Sequence, residues 1–271
     1  MPIASSKPFG RPGCSVSRRA ILLAMLVGAL TVVQARNPTD EELDALLQAD
    51  DYQALLAAVG QTPGWTARVV SVLEEQGDLL TMAAMHGATR VTKGLLAASA
   101  NVDGEPAIHN GRNEWGRTPL FMAAREGHAA IARLLIVAGA DTARPDHAGF
   151  QPLHVAASFG RVDVMKVLIG AGVSVNAQAV RGDTALKLAV MRRREEAVTY
   201  LLSTQPNLDL ADVRGDTPLH EAARNDDARI VRALLAHGAR LLPNRYGRTA
   251  ADEARDWGPD LLTTLYDRRV R

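Results

Sequence analysis

The sequence contains a single cysteine, Cys14, among 271 residues. A chain with one thiol cannot form an internal disulfide, so the stability of its fold has to come from packing. Aromatic residues make up only 4% of the chain, whereas apolar residues make up 47%. An apolar core that is poor in aromatics favours closely packed short helices over a β-sandwich.

The chain also lacks an excess of charge of either sign, since 31 basic residues stand against 30 acidic ones. A near-neutral chain has no global field that would attract nucleic acid. The 7 histidines do not cluster at metal-ligand spacings, so we expect neither a metal site nor a cofactor. Phosphate-binding loops, Gly-x-Ser-x-Gly elbows and His-Glu-x-x-His helices are missing as well. These absences argue against an enzyme.

A long apolar run occurs near the N-terminus, at residues 20–33, where Thr31 is the one clearly polar residue. The segment before it carries Lys7, Arg11, Arg18 and Arg19 and no acidic residue, and Val33-Gln34-Ala35 follows. A charged region, a short apolar region and a cleavage site with small residues together predict a cleavable secretory signal peptide over residues 1–35. The run of 14 residues is shorter than the roughly 20 that a helix needs to span a bilayer.

The predicted signal points to the bacterial periplasm. Ser17-Arg18-Arg19-Ala20 resembles a twin-arginine export signal, but an ordinary secretory signal fits as well. An uncleaved membrane anchor and a wrongly assigned start codon are the remaining alternatives. Cys14 precedes the apolar run, whereas a lipoprotein cysteine would follow it, so no lipid anchor is indicated. Cleavage after Ala35 would leave 27 basic residues against 30 acidic ones and no thiol.

The rest of the chain is organised by a repeat. Gly116, Gly149, Gly182, Gly215 and Gly247 follow one another at spacings of 33, 33, 33 and 32 residues. One residue after each glycine comes a related block, at residues 118–121 (Thr-Pro-Leu-Phe), 151–154 (Gln-Pro-Leu-His), 184–187 (Thr-Ala-Leu-Lys), 217–220 (Thr-Pro-Leu-His) and 249–252 (Thr-Ala-Ala-Asp). Small residues such as Ala123-Ala124, an apolar helix such as residues 131–136, and a Gly-Ala turn such as Gly139-Ala140 complete each unit.

This pattern resembles the ankyrin repeat over nearly all of the chain that follows the signal. The resemblance implies an all-α solenoid of stacked helix-turn-helix units joined by β-hairpin loops. It also implies that His154 and His220 tie neighbouring backbone together and have no part in chemistry. The residue pattern fits on physical grounds, because threonine caps a helix start, proline suits its first position and glycine ends the second helix.

We divide the chain into three parts: the signal at residues 1–35, a degenerate N-terminal helical cap at 36–76, and ankyrin repeats at 77–271. The cap rests on an amphipathic pattern at residues 40–60, because an uncapped stack would expose apolar surface. The repeats comprise five internal units, the first beginning near Asp78, and a C-terminal cap that ends in Arg268, Arg269 and Arg271. The interval from Gln76 to Gly116 is 40 residues, so residues 104–113 form an insertion that either concentrates binding or is merely tolerated.

We predict a protein-binding surface on the concave side, where the resemblance places hairpin tips and first helices. The tip positions are Glu114, Trp115, Arg117, His147, Phe150, Arg181, Asp183, Arg214, Asp216, Arg245, Tyr246 and Arg248. The first-helix positions are Arg125, Glu126, Ser158, Phe159, Met191, Arg192, Arg224 and Asn225. Arginine and aromatic side chains are the ones most enriched in binding hot spots. Trp115 and Phe150 are the expected anchors.

The sequence therefore predicts a periplasmic, monomeric scaffold that binds a partner protein, with no nucleic acid and no stable membrane association. An immunity or inhibitor protein against a toxin or enzyme is one alternative. A membrane-tethered adaptor and an enzyme with a cryptic site are the others. The basic run Arg192-Arg193-Arg194, followed by Glu195-Glu196, is either a solvated turn or a patch for an anionic partner.

Overall fold

The structure, a computed structural model, describes residues 45–51, 54, 79–97 and 116–254 of the chain. The described ranges hold the following helices: α1 (Leu79–His86), α2 (Thr89–Ala97), α3 (Pro119–Glu126), α4 (Ala129–Val137), α5 (Pro152–Ser158), α6 (Val162–Gly170), α7 (Ala185–Met191), α8 (Glu195–Ser203), α9 (Pro218–Arg224), α10 (Ala228–Ala236) and α11 (Ala250–Glu253). The predicted signal, most of the N-terminal cap, the insertion at 104–113 and the end of the C-terminal cap lie outside these ranges. Within them, no helix is both long and apolar enough to cross a membrane.

Each repeat contributes one inner helix, numbered odd, and one outer helix, numbered even. The inner helices begin where the sequence predicts. Thr118 accepts a hydrogen bond from the Phe121 N–H at 3.1 Å, and Thr184 accepts one from the Lys187 N–H at 3.2 Å. Pro119, Pro152 and Pro218 open three of these helices, where a missing N–H costs no hydrogen bond.

The helices stack in register along the chain. Each inner helix packs on the inner helices before and after it, from α1 through to α11, and the outer helices from α2 to α10 do the same. The small residues of the inner helices, such as Ala123, Ala124, Ala156 and Ala157, have no exposed surface. Alanine therefore allows the inner helices to approach closely, and the all-α ankyrin solenoid predicted from the sequence is confirmed.

The outer helices supply the bulkier half of one continuous core. Ile131 and Leu135 of α4, Leu168 of α6 and Leu201 of α8 are completely buried. Three of these helices are followed by glycine in the left-handed region, namely Gly139, Gly172 and Gly238, with φ between 88° and 95°. The helix α8 is followed by Gln205 at φ 54°, so a non-glycine residue closes that unit.

Candidate functional site

In the part of the chain that the structure describes, four hairpin tips project from the stack, and all four share one backbone turn. Their residues are 146–150, 179–183, 212–216 and 244–248. In each, the first N–H donates to the carbonyl of the fifth residue, at 2.8–3.1 Å. The glycine at the fourth position donates to the first carbonyl at 2.8–2.9 Å. Side chains at the second and third positions are consequently held at the apex of each turn.

A polar side chain at the first position fixes three of the four tips. Asp146 Oδ1 accepts from the N–H groups of Ala148 and Phe150, at 3.0 and 2.9 Å. Asp212 and Asn244 accept in the same way within their own tips. We did not identify this position from the sequence, although its fixed distance of three residues before each tip glycine was the available signal.

Ala179 takes that position in the remaining tip. Gln178, the residue before it, compensates by donating from Nε2 to the carbonyls of Gly182 and Ala211, at 2.9 and 3.1 Å. Gln178 and Thr184 also form an isolated antiparallel bridge, the β-type pairing of this hairpin loop. The amide side chain therefore joins its own tip to the next repeat.

The tips are also joined to one another through their backbones. The N–H of Val213 donates to the carbonyl of Arg181, and the N–H of Arg245 donates to that of Arg214, both at 2.9 Å. The Gly182 Cα lies so close to the next tip that a Cβ there would stand 2.9 Å from the Asp212 Cα. Glycine is required at this position both for its φ of +80° and for that approach. The tips thus form a rigid, regularly spaced row.

The predicted binding residues fall into three groups in the structure. His147, Arg181, Arg214 and Tyr246 are exposed at the tips, and Val180 and Val213 join them there. Val180 is 75% exposed and Tyr246 is 74% exposed, which is unusual for large apolar side chains. We call the exposed tip side chains the tip row; its members are His147, Val180, Arg181, Val213, Arg214, Arg245, Tyr246 and Arg248.

A second group lies at the ends of the inner helices. The guanidinium of Arg125 stacks over the ring of Phe159 at 5.6 Å, and Arg117 stacks over Phe121 at 5.5 Å. Burial and the nearby charge of Arg125 lower the pKa of Arg117, against the opposing effect of Asp146. Arg192, one repeat beyond Phe159, is exposed. The structure therefore brings Arg117, Arg125 and Phe159 into one half-exposed cluster.

The expected aromatic anchors form the third group. Phe150 packs against the core and meets the His154 ring edge-on, with centroids 6.1 Å apart. Its ring therefore has a packing role, and only part of it faces the surface. Trp115 and Glu114 lie outside the described residues, as does the insertion before them.

Two tip residues that we expected at the surface are buried. Asp183 and Asp216 turn inward, because each pairs with a cation of the stack. Lys187, which replaces histidine in the Thr-Pro-Leu-His block, is 1% exposed and donates to Asp183 Oδ1 at 3.0 Å and to Asp212 Oδ2 at 2.6 Å. Burial opposes ionisation of Asp212, but bonds from Lys187 and from the N–H groups of Asp216 and Arg214 outweigh it and lower its pKa to about 2.

Asp216 is held by a second buried network. Arg224 donates to Asp216 at 2.9 Å and to Glu221 at 2.8 Å, while Asn244 donates to Asp216 at 2.8 Å. Burial opposes the charge of Asp216, yet Asn244 and Arg224 prevail and lower its pKa. Burial would lower the pKa of Arg224, but the bond and charge of Asp216, with Glu221 and Glu253, raise it. The acidic side chains of these tips are thus buried and paired inside the stack.

The histidines of the repeat block link backbone segments of neighbouring repeats by hydrogen bonds. His154 Nδ1 accepts from the Gln151 N–H at 3.1 Å, while Nε2 contacts the Ala177 carbonyl at 2.9 Å. His220 makes the equivalent contacts to Thr217 and Arg248, both at 3.1 Å. Burial lowers the pKa of His154, against the opposing bond to Ala177. In the described part of the chain, no group of three or more His, Cys, Asp or Glu residues is arranged to hold a metal ion.

The basic run before α8 is mostly structural. Arg194 reaches back to the Ser158 carbonyl at 3.2 Å, as Arg161 reaches back to that of Arg125 at 3.0 Å. Arg193 donates forward to the Asn225 carbonyl. All three arginines are exposed, and Arg192 is the member of the run that makes no side-chain hydrogen bond within the described residues.

The comparisons with known proteins agree with this geometry. A family model described as "Ankyrin repeats (3 copies)" matches residues 35–146, 80–179, 153–245 and 186–269. The crystal structure of the human ASB11 ankyrin repeat domain is similar, with a TM-score of 0.68 and 26% sequence identity. That match covers 83% of this chain and 96% of the other. No curated protein sequence matches.

Proposed function

We propose that this chain, which belongs to the ankyrin repeat family, is an exported scaffold that binds its partner protein on the tip row. The family indicates a protein–protein interaction scaffold, and the fold is typically a non-enzymatic one. The choice of surface, the export and the non-enzymatic role of this particular chain are the proposal.

The observation that carries the choice of surface is the exposed apolar area at the tips. Among the described residues, the exposed large hydrophobics are Val137, Phe159, Val180, Val213 and Tyr246. Three of these five belong to the tip row, and Phe159 lies with Arg125 at the inner-helix ends. Exposed apolar side chains that are rimmed by arginines mark an interaction surface.

The rigidity of the row supports the same choice. Backbone hydrogen bonds hold the tips of residues 179–183, 212–216 and 244–248 in fixed relation before any partner arrives. A preformed surface loses little conformational entropy on binding. We therefore expect the inner-helix cluster of Arg117, Arg125 and Phe159, together with Arg192, to extend the contact area and the tips to dominate it.

Affinity capture from a periplasmic extract tests the surface. The tip variant Arg181→Ala with Tyr246→Ala truncates two exposed side chains, and the matched control Arg133→Ala with Val137→Ala truncates two exposed side chains of α4. The wild type and the control should retain the same partner, identified by mass spectrometry, and the tip variant should bind it about tenfold more weakly or worse. If the folded tip variant kept wild-type affinity while the control lost it, the binding surface would lie on the outer helices.

N-terminal sequencing of the natural protein tests the export. The mature chain is expected to begin at or near Arg36 and to fractionate with periplasmic proteins, because residues 1–35 have the features of a cleavable signal. An intact Met1 in the cytoplasmic fraction would contradict export, and an intact Met1 in the membrane fraction would favour a tethered adaptor.

A further inference from the structure

We propose that the tip row takes an acidic, partly apolar segment of a protein, which runs across the tips of residues 179–183, 212–216 and 244–248. The inference rests on the proposed function and specifies the chemistry of the partner. It follows from the sign of the exposed charge, from the free hydrogen-bonding capacity of two arginines and from the apolar side chains between them.

The exposed charge of the four described tips has one sign. Arg181, Arg214, Arg245 and Arg248 are exposed. The acidic residues of the same tips are Asp146, Asp183, Asp212 and Asp216, and all four are buried. A partner approaching the row therefore meets cationic groups first.

The arginines differ in how far they are already engaged. Arg214 contacts Asp212 and Asp216 at 3.3 Å, and Arg248 contacts Glu253 at 3.4 Å. Within the described ranges, Arg181 and Arg245 make no side-chain ion pair or hydrogen bond. Each presents a whole guanidinium, whose forked donors match a carboxylate in two-point geometry. These two residues stand at the two ends of the three-tip segment.

Apolar side chains lie between the charges. Val180 precedes Arg181, Val213 precedes Arg214, and Tyr246 follows Arg245. Each of these three tips therefore offers an arginine directly beside an apolar side chain, and this pair recurs along the segment. A segment with carboxylates interspersed among apolar residues complements the pattern, because it buries the apolar groups and pairs the charges.

The chemistry favours a protein segment over nucleic acid. Four buried carboxylates lie beneath the tips, and Lys187 and Arg224 pair with three of them. They therefore offset part of the exposed positive charge, and the field of the row is weaker than its count of arginines suggests. Nucleic acid binding draws mainly on accumulated positive charge. Valine contributes nothing to a phosphate contact, whereas it adds apolar area to a protein contact.

Panning of a random-peptide phage library against the purified chain tests the inference. The selected peptides should be rich in Asp and Glu with apolar residues between them, and their affinity should fall as salt rises. The charge-reversal variant Arg181→Glu with Arg245→Glu should bind them at least about tenfold more weakly than the wild type does. The control Arg133→Glu with Arg232→Glu makes the same change of charge on the exposed outer helices α4 and α10 and should bind normally. Circular dichroism melts establish that both variants are folded.

The outcomes separate the inference from the proposed function. Selected peptides that lack acidic enrichment and still bind the charge-reversal variant more weakly than the wild type would overturn the inference and leave the tip row as a binding surface. Acidic peptides that bind the charge-reversal variant as well as the wild type would overturn both. A 20-nucleotide single-stranded DNA that bound more tightly than any selected peptide, and lost binding in the charge-reversal variant, would replace the protein segment with nucleic acid.

Discussion

Lys187 departs from the repeat pattern by placing a buried cation where the blocks at residues 151–154 and 217–220 have histidine. Histidine at this position in other repeats brackets two backbone segments, as His154 and His220 do. Lysine instead lies buried between Asp183 and Asp212, which belong to two successive tips. Lysine therefore replaces the hydrogen-bonded link that histidine makes with ion pairs to two successive tips. The position of both tips depends on these pairs.

We expect Lys187→Met to destabilise the chain by about 3–5 kcal/mol at pH 7, because it removes the buried cation that Asp183 and Asp212 share. Denaturant unfolding measures this loss. The control is Lys166→Met, which removes an exposed pair with Asp163 and should cost less than about 1 kcal/mol. Equal stability of Lys187→Met and wild type would show that the buried cluster adds nothing.

The same variant has a predicted pH dependence. The pKa of Asp212 is held at about 2, below its ordinary value of 3.8. The stability that this group contributes is therefore full above about pH 4, falls as the pH drops towards 2, and is absent below it. The gap between wild type and Lys187→Met should accordingly narrow between pH 4 and pH 2, and a gap that widened there would contradict the assignment.

At the scale of the element, the turns of the repeat require glycine for two separable reasons: a positive φ and a close approach of the backbone. Gly182 has φ +80° and also lies against the backbone of the next tip, whereas Gly172 has φ +88° and open space around it. We expect Gly172→Ala to cost about 1–2 kcal/mol from conformational strain alone. Gly182→Ala should cost clearly more, because the added Cβ meets backbone atoms. Thermal melts of both variants measure the two losses of stability. Equal losses would show that the tips move apart to accommodate the added Cβ.

The outer helices make the other element-scale prediction. Leu168→Ala in α6 or Leu201→Ala in α8 should lower the free energy of unfolding by about 2–5 kcal/mol, since both side chains are completely buried. Val137 at the end of α4 is 88% exposed, so Val137→Ala should change it by less than about 0.5 kcal/mol. Leucine variants as stable as wild type would show that the register of these helices is wrong.

The sequence predicted most of the helices and turns because local sequence signals specify them. Threonine caps, Pro119 at a first helical position and the tip glycines each act within a few residues, so their periodic recurrence identified the helices. Lys187 pairs with Asp183 four residues away, but also with Asp212 of the next tip, 25 residues away. Asp216 pairs with Arg224 and Asn244, which lie 8 and 28 residues away. No local pattern distinguishes such an inward carboxylate from an exposed one, and for that reason two predicted surface positions proved to be core.

At the scale of the whole molecule, each described repeat packs against the repeats before and after it, so the stack presents one long surface along its tips. A single tip among residues 179–183, 212–216 and 244–248 offers one or two exposed arginines and one exposed apolar side chain, which is too little for specific recognition. The binding surface of the molecule comes from the regular recurrence of that pair. The buried ion pairs of Lys187 and Asp216 hold successive tips in fixed positions.

Hydrogen–deuterium exchange of the chain, with and without its captured partner, tests the binding claim most directly. The account predicts that the partner protects the backbone amides of the three tips at residues 179–183, 212–216 and 244–248. Exchange in the outer helices α6, α8 and α10 should stay unchanged. Protection confined to those outer helices, with unchanged exchange at the tips, would contradict the account.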